Sequence, residues 1–456
     1  MPKPTTLPVR LDRRRATTLG AQLAGQIRDL ITTGTLEIGD RLPSTRGLAA
    51  DLGVSRAVTE QAFDQLLAEG WLEARRGSGT YVAAAGHVAP TPTSRSAAPA
   101  AEPAFRFDTG TPWIDPRHAA GWRRAWREVA ADRPPAGYPD PAGLSELREA
   151  LCLHLARTRG LRCTPDEVAL TNGTTDGLRH LLATLPPGPV AMEDPGYRAA
   201  ANVVLDSGRD LVDVPVGDDG LRVDRLDTAV QALYVTPAHQ HPLGITMSAT
   251  RRLALLERAG ALDAVVIEDD YDSEFRYDVA PLPALASLDR DRVVYLGTAS
   301  KSVAPALRLG WLVAPVAVVR EITARRDRTH DLVPWPVQRA FLAMLREGYV
   351  DRVVRSARRV YAQRSRQVME AIGDFGTVAP SPAGMYLTLQ LDQGAAERAA
   401  TTARAAGFDV PLLSDYSRTA GRHGLVLGFG GCSDAQLDAV LGHLRASLAA
   451  SGPARD

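Results

Sequence analysis

Apolar residues recur at helical spacing over Leu19, Leu23, Ile27, Leu30 and Ile31 and the pattern stops at Gly34, which predicts an amphipathic helix. A second helix is predicted after the cap signal Pro43-Ser44, carrying Arg46, Leu48 and Leu52, and Gly53 breaks it. Val54-Ser55 then opens a third, Arg56 to Glu69, with Val58, Ala62, Phe63, Leu66 and Leu67 available for packing. Past Gly70 the period changes from helical to alternating. Trp71 to Val82 reads as a two-stranded ribbon whose tip, Arg75-Arg76-Gly77-Ser78-Gly79, must turn sharply. Helix, glycine turn, helix and ribbon together predict a winged helix-turn-helix over residues 1–83.

Residues 84–104 lose all apolar period and are rich in Ala, Pro, Ser and Thr, the composition of a linker. Residues 105–456 regain order as apolar strands that run into polar loops. Val168 to Thr171 is followed by Gly173, Thr174 and Thr175 and then by a helix with Leu178, Leu181 and Leu182. Another short strand ends in Glu193-Asp-Pro-Gly-Tyr197, and Ala264 to Ile267 runs directly into Glu268, Asp269 and Asp270. Val293 to Leu296 leads to Thr298 and Ser300. The last hundred residues alternate helices such as Val350–Ile372 with strands such as Met385–Leu391 and Leu425–Phe429. This body reads as α/β.

Composition narrows the classes. A chain of 456 residues with 45% hydrophobic residues suits two or three domains with ample core. Its formal net charge is zero, which excludes a wholly basic nucleic-acid coat but not a basic face on one domain. Cys152, Cys163 and Cys432 stand apart in sequence and suggest neither a disulfide framework nor a metal site. No signal peptide and no apolar run of membrane-spanning length is present, so a soluble cytoplasmic protein with no membrane partner is expected.

The chemistry concentrates at one residue. Lys3 and Lys301 are the only lysines, so every other one of the 53 basic residues is arginine. A guanidinium stays protonated, whereas a desolvated amine loses its proton and can condense with an aldehyde. Lys301 is therefore the nucleophile candidate. The hydroxyls of Thr298 and Ser300 and the guanidinium of Arg308 surround it in sequence as a phosphate cradle would. Asp269, at the end of its strand, stands at the edge where α/β sheets bind ligands.

The run GDRLPSTRGLAADLGVSRAVTEQAFDQLLAEGWLEARRGSGTYV resembles the GntR family of bacterial transcription factors. That resemblance implies that Arg46, Ser55, Arg56, Arg75, Arg76 and Gly77 meet double-stranded operator DNA; Ala57-Val58-Thr59-Glu60 departs from the usual start of the recognition helix. The loop of Lys301 with LRLG behind it resembles the lysine segment of fold-type I aminotransferases, which bind pyridoxal 5'-phosphate (PLP). The resemblance implies a large, mostly parallel α/β domain and a small α+β C-terminal domain. It also implies that Lys301 forms the Schiff base, that Gly173, Thr174, Thr175, Thr298, Ser300 and Arg308 hold the phosphate, and that Asp269 pairs with the ring nitrogen. Tyr197 would stack on the ring and Tyr271 would bond its oxygen. Tyr138, in Gly137-Tyr-Pro-Asp-Pro-Ala-Gly143, would serve a neighbouring subunit, which implies a homodimer.

Two departures shape the functional expectation. Leu233-Tyr-Val-Thr-Pro-Ala-His-Gln-His-Pro-Leu-Gly244 resembles the box of MocR/GabR regulators, with His241 where ordinary aminotransferases carry asparagine and His239 as a pocket candidate. Val426 stands where the arginine for a substrate carboxylate is usual, and Arg422 is the nearest substitute. Reader, linker and aminotransferase-like body in that order are similar to MocR/GabR regulators, a DNA-binding protein sensing a small amine, an amino acid or PLP itself through Lys301. An active aminotransferase carrying a DNA-binding domain is the alternative.

Overall fold

The computed structural model describes residues 7–75, 77–83, 105–226, 228–277, 282–378 and 383–450. Arg76 and the linker expected at 84–104 lie outside the described residues. Two compact units divide the chain, one within Met1–Ala101 and one within Glu102–Asp456.

The first unit holds helices α1 (Leu19–Thr32), α2 (Thr45–Leu52) and α3 (Arg56–Ala68) and strands β1 (Leu72–Arg75) and β2 (Gly79–Val82). Ser44 caps α2 by accepting from the Gly47 amide, and Gly53 ends it in the left-handed conformation at φ 61°. Leu23, Ile27, Leu48, Phe63 and Leu66 are buried together; each such side chain contributes roughly 1.5–3 kcal/mol. Thr59 is also fully buried, and its hydroxyl donates to the Thr45 carbonyl at 2.9 Å, fastening α3 to the start of α2. The turn between β1 and β2 places Gly77 at φ 76°, as the sequence of the tip demands.

The second unit is built on an eight-stranded sheet. Its strands are β3 (Val168–Thr171), β4 (Val190–Asp194), β5 (Leu211–Gly217), β6 (Gly220–Leu221), β7 (Ala232–Val235), β8 (Val265–Asp270), β9 (Val293–Thr298) and β10 (Gly310–Val313), in the order β3-β10-β9-β8-β7-β4-β5-β6. From β9 across to β5 the neighbours are parallel, while β10 runs antiparallel to both β9 and β3. Successive residues on the strands face opposite sides: Tyr295 and Trp311 join one apolar layer and Leu296 and Leu312 the other. Helix α4 (Ser145–Arg159) packs in the first layer and α5 (Thr174–Leu182) in the second. A smaller C-terminal part forms a three-stranded antiparallel sheet from Thr377–Val378, Tyr386–Gln390 and Gly424–Gly428, with helix α6 (Tyr349–Ile372) and two later helices beside it.

Cys152 and Cys163, apart in sequence, come together in the fold with their Sγ atoms 3.5 Å apart as free thiols. Among the described residues no helix is long and apolar enough to cross a membrane.

Candidate functional site

The reversed strand β10 creates the site. Because it runs against both neighbours, its first residue, Gly310, pairs with Thr298 at the end of β9 and with Thr171 at the end of β3. Arg308, two residues earlier, is thereby delivered between the two polar loops that follow those strands. It adopts φ 48°, a conformation bulky residues avoid, and its Nη2 donates to the Asn172 carbonyl at 2.7 Å. Gly173, the N-cap of α5 at φ 95° and ψ 174°, lies against this guanidinium; a Cβ there would stand 3.2 Å from its nitrogens.

A cavity of about 360 Å³ opens at this junction. Of the residues singled out in the sequence, Thr174, Thr175, Thr298, Ser300, Arg308, Tyr197, Asp269, Tyr271 and Lys301 line it. The Thr298 hydroxyl lies 3.0 Å from that of Ser300 and also accepts from the Ser300 amide at 3.1 Å. Lys301 Nζ donates to the Gly110 carbonyl at 2.8 Å and has no carboxylate within ion-pair distance among the described residues. Burial lowers its pKa, against the fields of Asp272, Asp108 and Asp269, so the neutral amine is favoured over that of an ordinary lysine.

Asp269 accepts from the Tyr234 hydroxyl through Oδ2, while its buried Oδ1 makes no hydrogen bond. Burial pushes its carboxyl up to about 7, with the Tyr234 hydroxyl opposing. Beside it, Glu193 holds the loop after β7: it accepts from the Thr236 hydroxyl at 2.6 Å and from Gln240.

His239 does not line the cavity; it is buried with Nδ1 2.7 Å from Asp272 and its ring against Tyr386. His241 does line it, edge-on to Tyr197 with centroids 5.6 Å apart, and burial holds its pKa down to about 3, so the ring is neutral. Tyr271 reaches the cavity, yet its hydroxyl donates to the His239 carbonyl at 2.9 Å and meets that of Tyr386. Arg422 lies elsewhere, donating to Gln390 and to the Val216 carbonyl, because a backbone acceptor and an amide hold both arms of its guanidinium. Val426 is fully buried among Val216, Leu413 and Tyr386, so its position is apolar packing. Tyr138 is 76% exposed, stacked on His330, and absent from this chain's cavity lining.

Sequence reasoning missed Asp108 to Thr111, which line the cavity from the first turn of the second unit. No motif marks them. Asp176, His180 and Asp331 bring possible metal-ligand atoms within 4.8 Å of one another, but the Arg179 guanidinium bonds both carboxylates.

In the first unit, Arg46, Ser55 and Arg56 are exposed at the starts of α2 and α3. Arg56 Nε bonds Glu60 at 2.6 Å. Arg75 lies over the Tyr81 ring at 4.6 Å and bonds Glu73 through Nε at 2.8 Å.

Comparison with known proteins agrees with this architecture. Residues 19–82 match the bacterial regulatory proteins of the gntR family, and residues 106–416 match the aminotransferase class I and II family. The HTH-type pyridoxine biosynthesis transcriptional regulator PdxR of Corynebacterium glutamicum is 36% identical over 448 residues, covering 96% of this chain and 98% of that protein. The chain belongs to the MocR-type transcriptional regulators. A second such relative, the probable rhizopine catabolism regulatory protein MocR of Rhizobium meliloti, is 33% identical over 472 residues, covering 96% of each chain. Among solved structures, an archaeal alanine:glyoxylate aminotransferase superposes with a TM-score of 0.69 at 26% identity, over 76% of this chain and 91% of the other.

For a MocR-type chain the cofactor is PLP. The cavity fits it. Asp269 Oδ1 is a buried acceptor without a donor, the Gly173 cradle leaves room beside a guanidinium, and Lys301 is a partly desolvated amine in the same space.

Proposed function

We propose that this MocR-type regulator binds PLP at Lys301 and that PLP is itself the signal it reports to DNA. One observation carries the choice of signal. Among the described residues lining the cavity, Lys301 and Arg308 are the only cations, one for an aldehyde and one for a phosphate, which leaves none for an amino acid's carboxylate. The Corynebacterium relative, a pyridoxine biosynthesis transcriptional regulator, supports the same reading. A primary amine without a carboxylate is the second reading, favoured by the neutral His241 and Tyr271 facing the same space.

In this reading Arg308, the hydroxyls of Thr298 and Ser300 and the amides that begin α5 bind the phosphate, where helix N-termini favour anions. Asp269 holds the ring nitrogen's proton, and Tyr197 covers a face of the ring. Bound PLP supplies an aldehyde that condenses with a primary amine and a ring that withdraws electrons. Lys301 contributes the neutral amine that burial favours, and Gly110 orients it. Tyr138, exposed in one chain, serves the cavity of a second copy, so the regulator works as a cytoplasmic homodimer on two half-sites.

Footprinting of wild type and Lys301→Ala on the operator, with and without PLP and with primary amines, tests this. PLP is expected to change wild-type occupancy and to leave the variant unmoved. A variant that answers PLP as the wild type does removes Lys301 from the switch, and a response to amino acids with no response to PLP removes the choice of signal.

A further inference from the structure

Residues 269 and 270 are consecutive on β8, so their side chains face opposite sides of the sheet. Asp269 lines the cavity already described. Asp270 lines another, of about 290 Å³, walled by α4, α6, β9 and β10 and sharing Thr298 with the first.

This second cavity collects buried polar groups that lack partners. Arg159 is 4% exposed, and none of its three guanidinium nitrogens makes a hydrogen bond; Nε lies 2.6 Å from Asp270 Oδ2 as an ion pair only. Trp311 Nε1 and Asp270 Oδ1 are likewise buried without partners. Buried polar groups are ordinarily bonded, so several gathered on one cavity mark a place for a guest. The rest of the lining says which kind. Arg157 is paired with Asp351 and Arg159 with Asp270, but Arg355 makes no ion pair among the described residues and Arg358 bonds only the Glu274 carbonyl. Burial pushes the Glu274 carboxyl up to about 8, leaving it mostly neutral at neutral pH. The cavity therefore carries excess positive charge. Leu155, Phe341 and Val354 supply an apolar wall, and although the first turn of α6 borders the cavity, it presents the carboxylate of Asp351 there, which disfavours a phosphate.

We propose that this cavity is a second ligand site that takes a small monocarboxylate with an apolar body, its carboxylate on the free arms of Arg159 and its body against Leu155, Phe341 and Val354. The site stands apart from the proposal about PLP, and the two can fail separately.

The probe is benzoate, which has the carboxylate and the apolar ring but no amine to condense with the cofactor, and benzamide is its neutral counterpart. Titration calorimetry on the full-length PLP-loaded protein is expected to show saturable benzoate binding, with benzamide at least about tenfold weaker, as loss of a charge-assisted bond implies. Arg159→Lys, which loses the fork, and Val354→Trp, which fills the space, should each weaken benzoate at least about tenfold while the cofactor's absorbance stays unchanged. Equal binding of benzoate and benzamide, no saturable benzoate binding, or wild-type binding in both variants overturns the proposal. The benzoate–benzamide comparison uses the wild type alone and decides even if a variant fails to fold.

Discussion

Replacing Asp269 by asparagine separates what the cofactor needs from what the fold would prefer. Asp269 is 3% exposed, and burial pushes its carboxyl from an ordinary 3.8 to about 7. A folded-state pKa above the unfolded value means that the folded chain holds the proton more tightly. The resulting cost is absent below the unfolded pKa, grows as pH rises between the two values, and is complete above about 7. A shift of about three units corresponds to roughly 4 kcal/mol, an upper figure because the surroundings relax around the charge. Asparagine has the same shape and can still accept from Tyr234. The cofactor-free variant is therefore expected to melt a few degrees above the cofactor-free wild type at about pH 8, with the difference shrinking toward about pH 5. With PLP the order reverses, because asparagine gives the ring nitrogen no anion; affinity is expected to fall at least about tenfold, some 1.4 kcal/mol or more. Thermal melts across pH and absorbance titration with PLP read both effects. Undiminished PLP affinity in the variant, or an equal melting point at the higher pH, would refute the reasoning.

Gly173→Ala places a side chain at φ 95° and ψ 174°, where only glycine is at ease, and against Arg308. The strain of roughly 1–3 kcal/mol should appear as a lower melting temperature if the loop holds, or as several-fold weaker PLP binding if the loop yields and moves the guanidinium; a variant unchanged in both contradicts the cradle. In the first unit, Arg56→Ala and Arg75→Ala are each expected to weaken operator binding and lower its salt slope by about 1, without altering the cofactor's absorbance. Anisotropy titrations at several salt concentrations check this, and two unchanged slopes would remove both residues from the DNA face.

How much was legible depends on whether a residue's surroundings are local. The three helices and ribbon of the first unit announce themselves because each stop is a glycine or a cap within a few residues of the pattern it ends, as with Ser44 and Gly53. The burial of Thr59 is not legible in the sequence, since a lone polar residue on a helix reads as a surface position until the neighbouring helix shows the carbonyl it meets. In the second unit, Asp269, Lys301 and Arg308 were legible because each sits beside the strand end that aims it. His239 and His241 were not separable: two residues apart in a loop, they differ only in which turns toward Asp272 and which toward the cavity, and that is decided by Glu193, which holds the intervening Gln240, and by Tyr386, from two other segments.

The second cavity was illegible for a stronger reason. Arg159 ends a helix whose sequence reads as an ordinary amphipathic segment with a basic last turn, and Asp270 reads as one more member of an acidic run. Only the pleat of β8 sends Asp269 and Asp270 to opposite faces, and only the packing of α4 and α6 over one face encloses the guanidinium beside Asp270. The same geometry ties the two sites together. A guest that neutralises Arg159 alters the field at Asp270 and hence at Asp269 one residue away, and Thr298 borders both spaces. A ligand in one cavity that favours one arrangement of β8 and the Thr298 loop must change affinity in the other by the same factor, typically ~1–3 kcal/mol where such coupling exists. Benzoate at saturation is therefore expected to shift the PLP dissociation constant, and PLP to shift that of benzoate equally. A PLP dissociation constant unmoved by saturating benzoate would mean that β8 and the Thr298 loop do not couple the two sites.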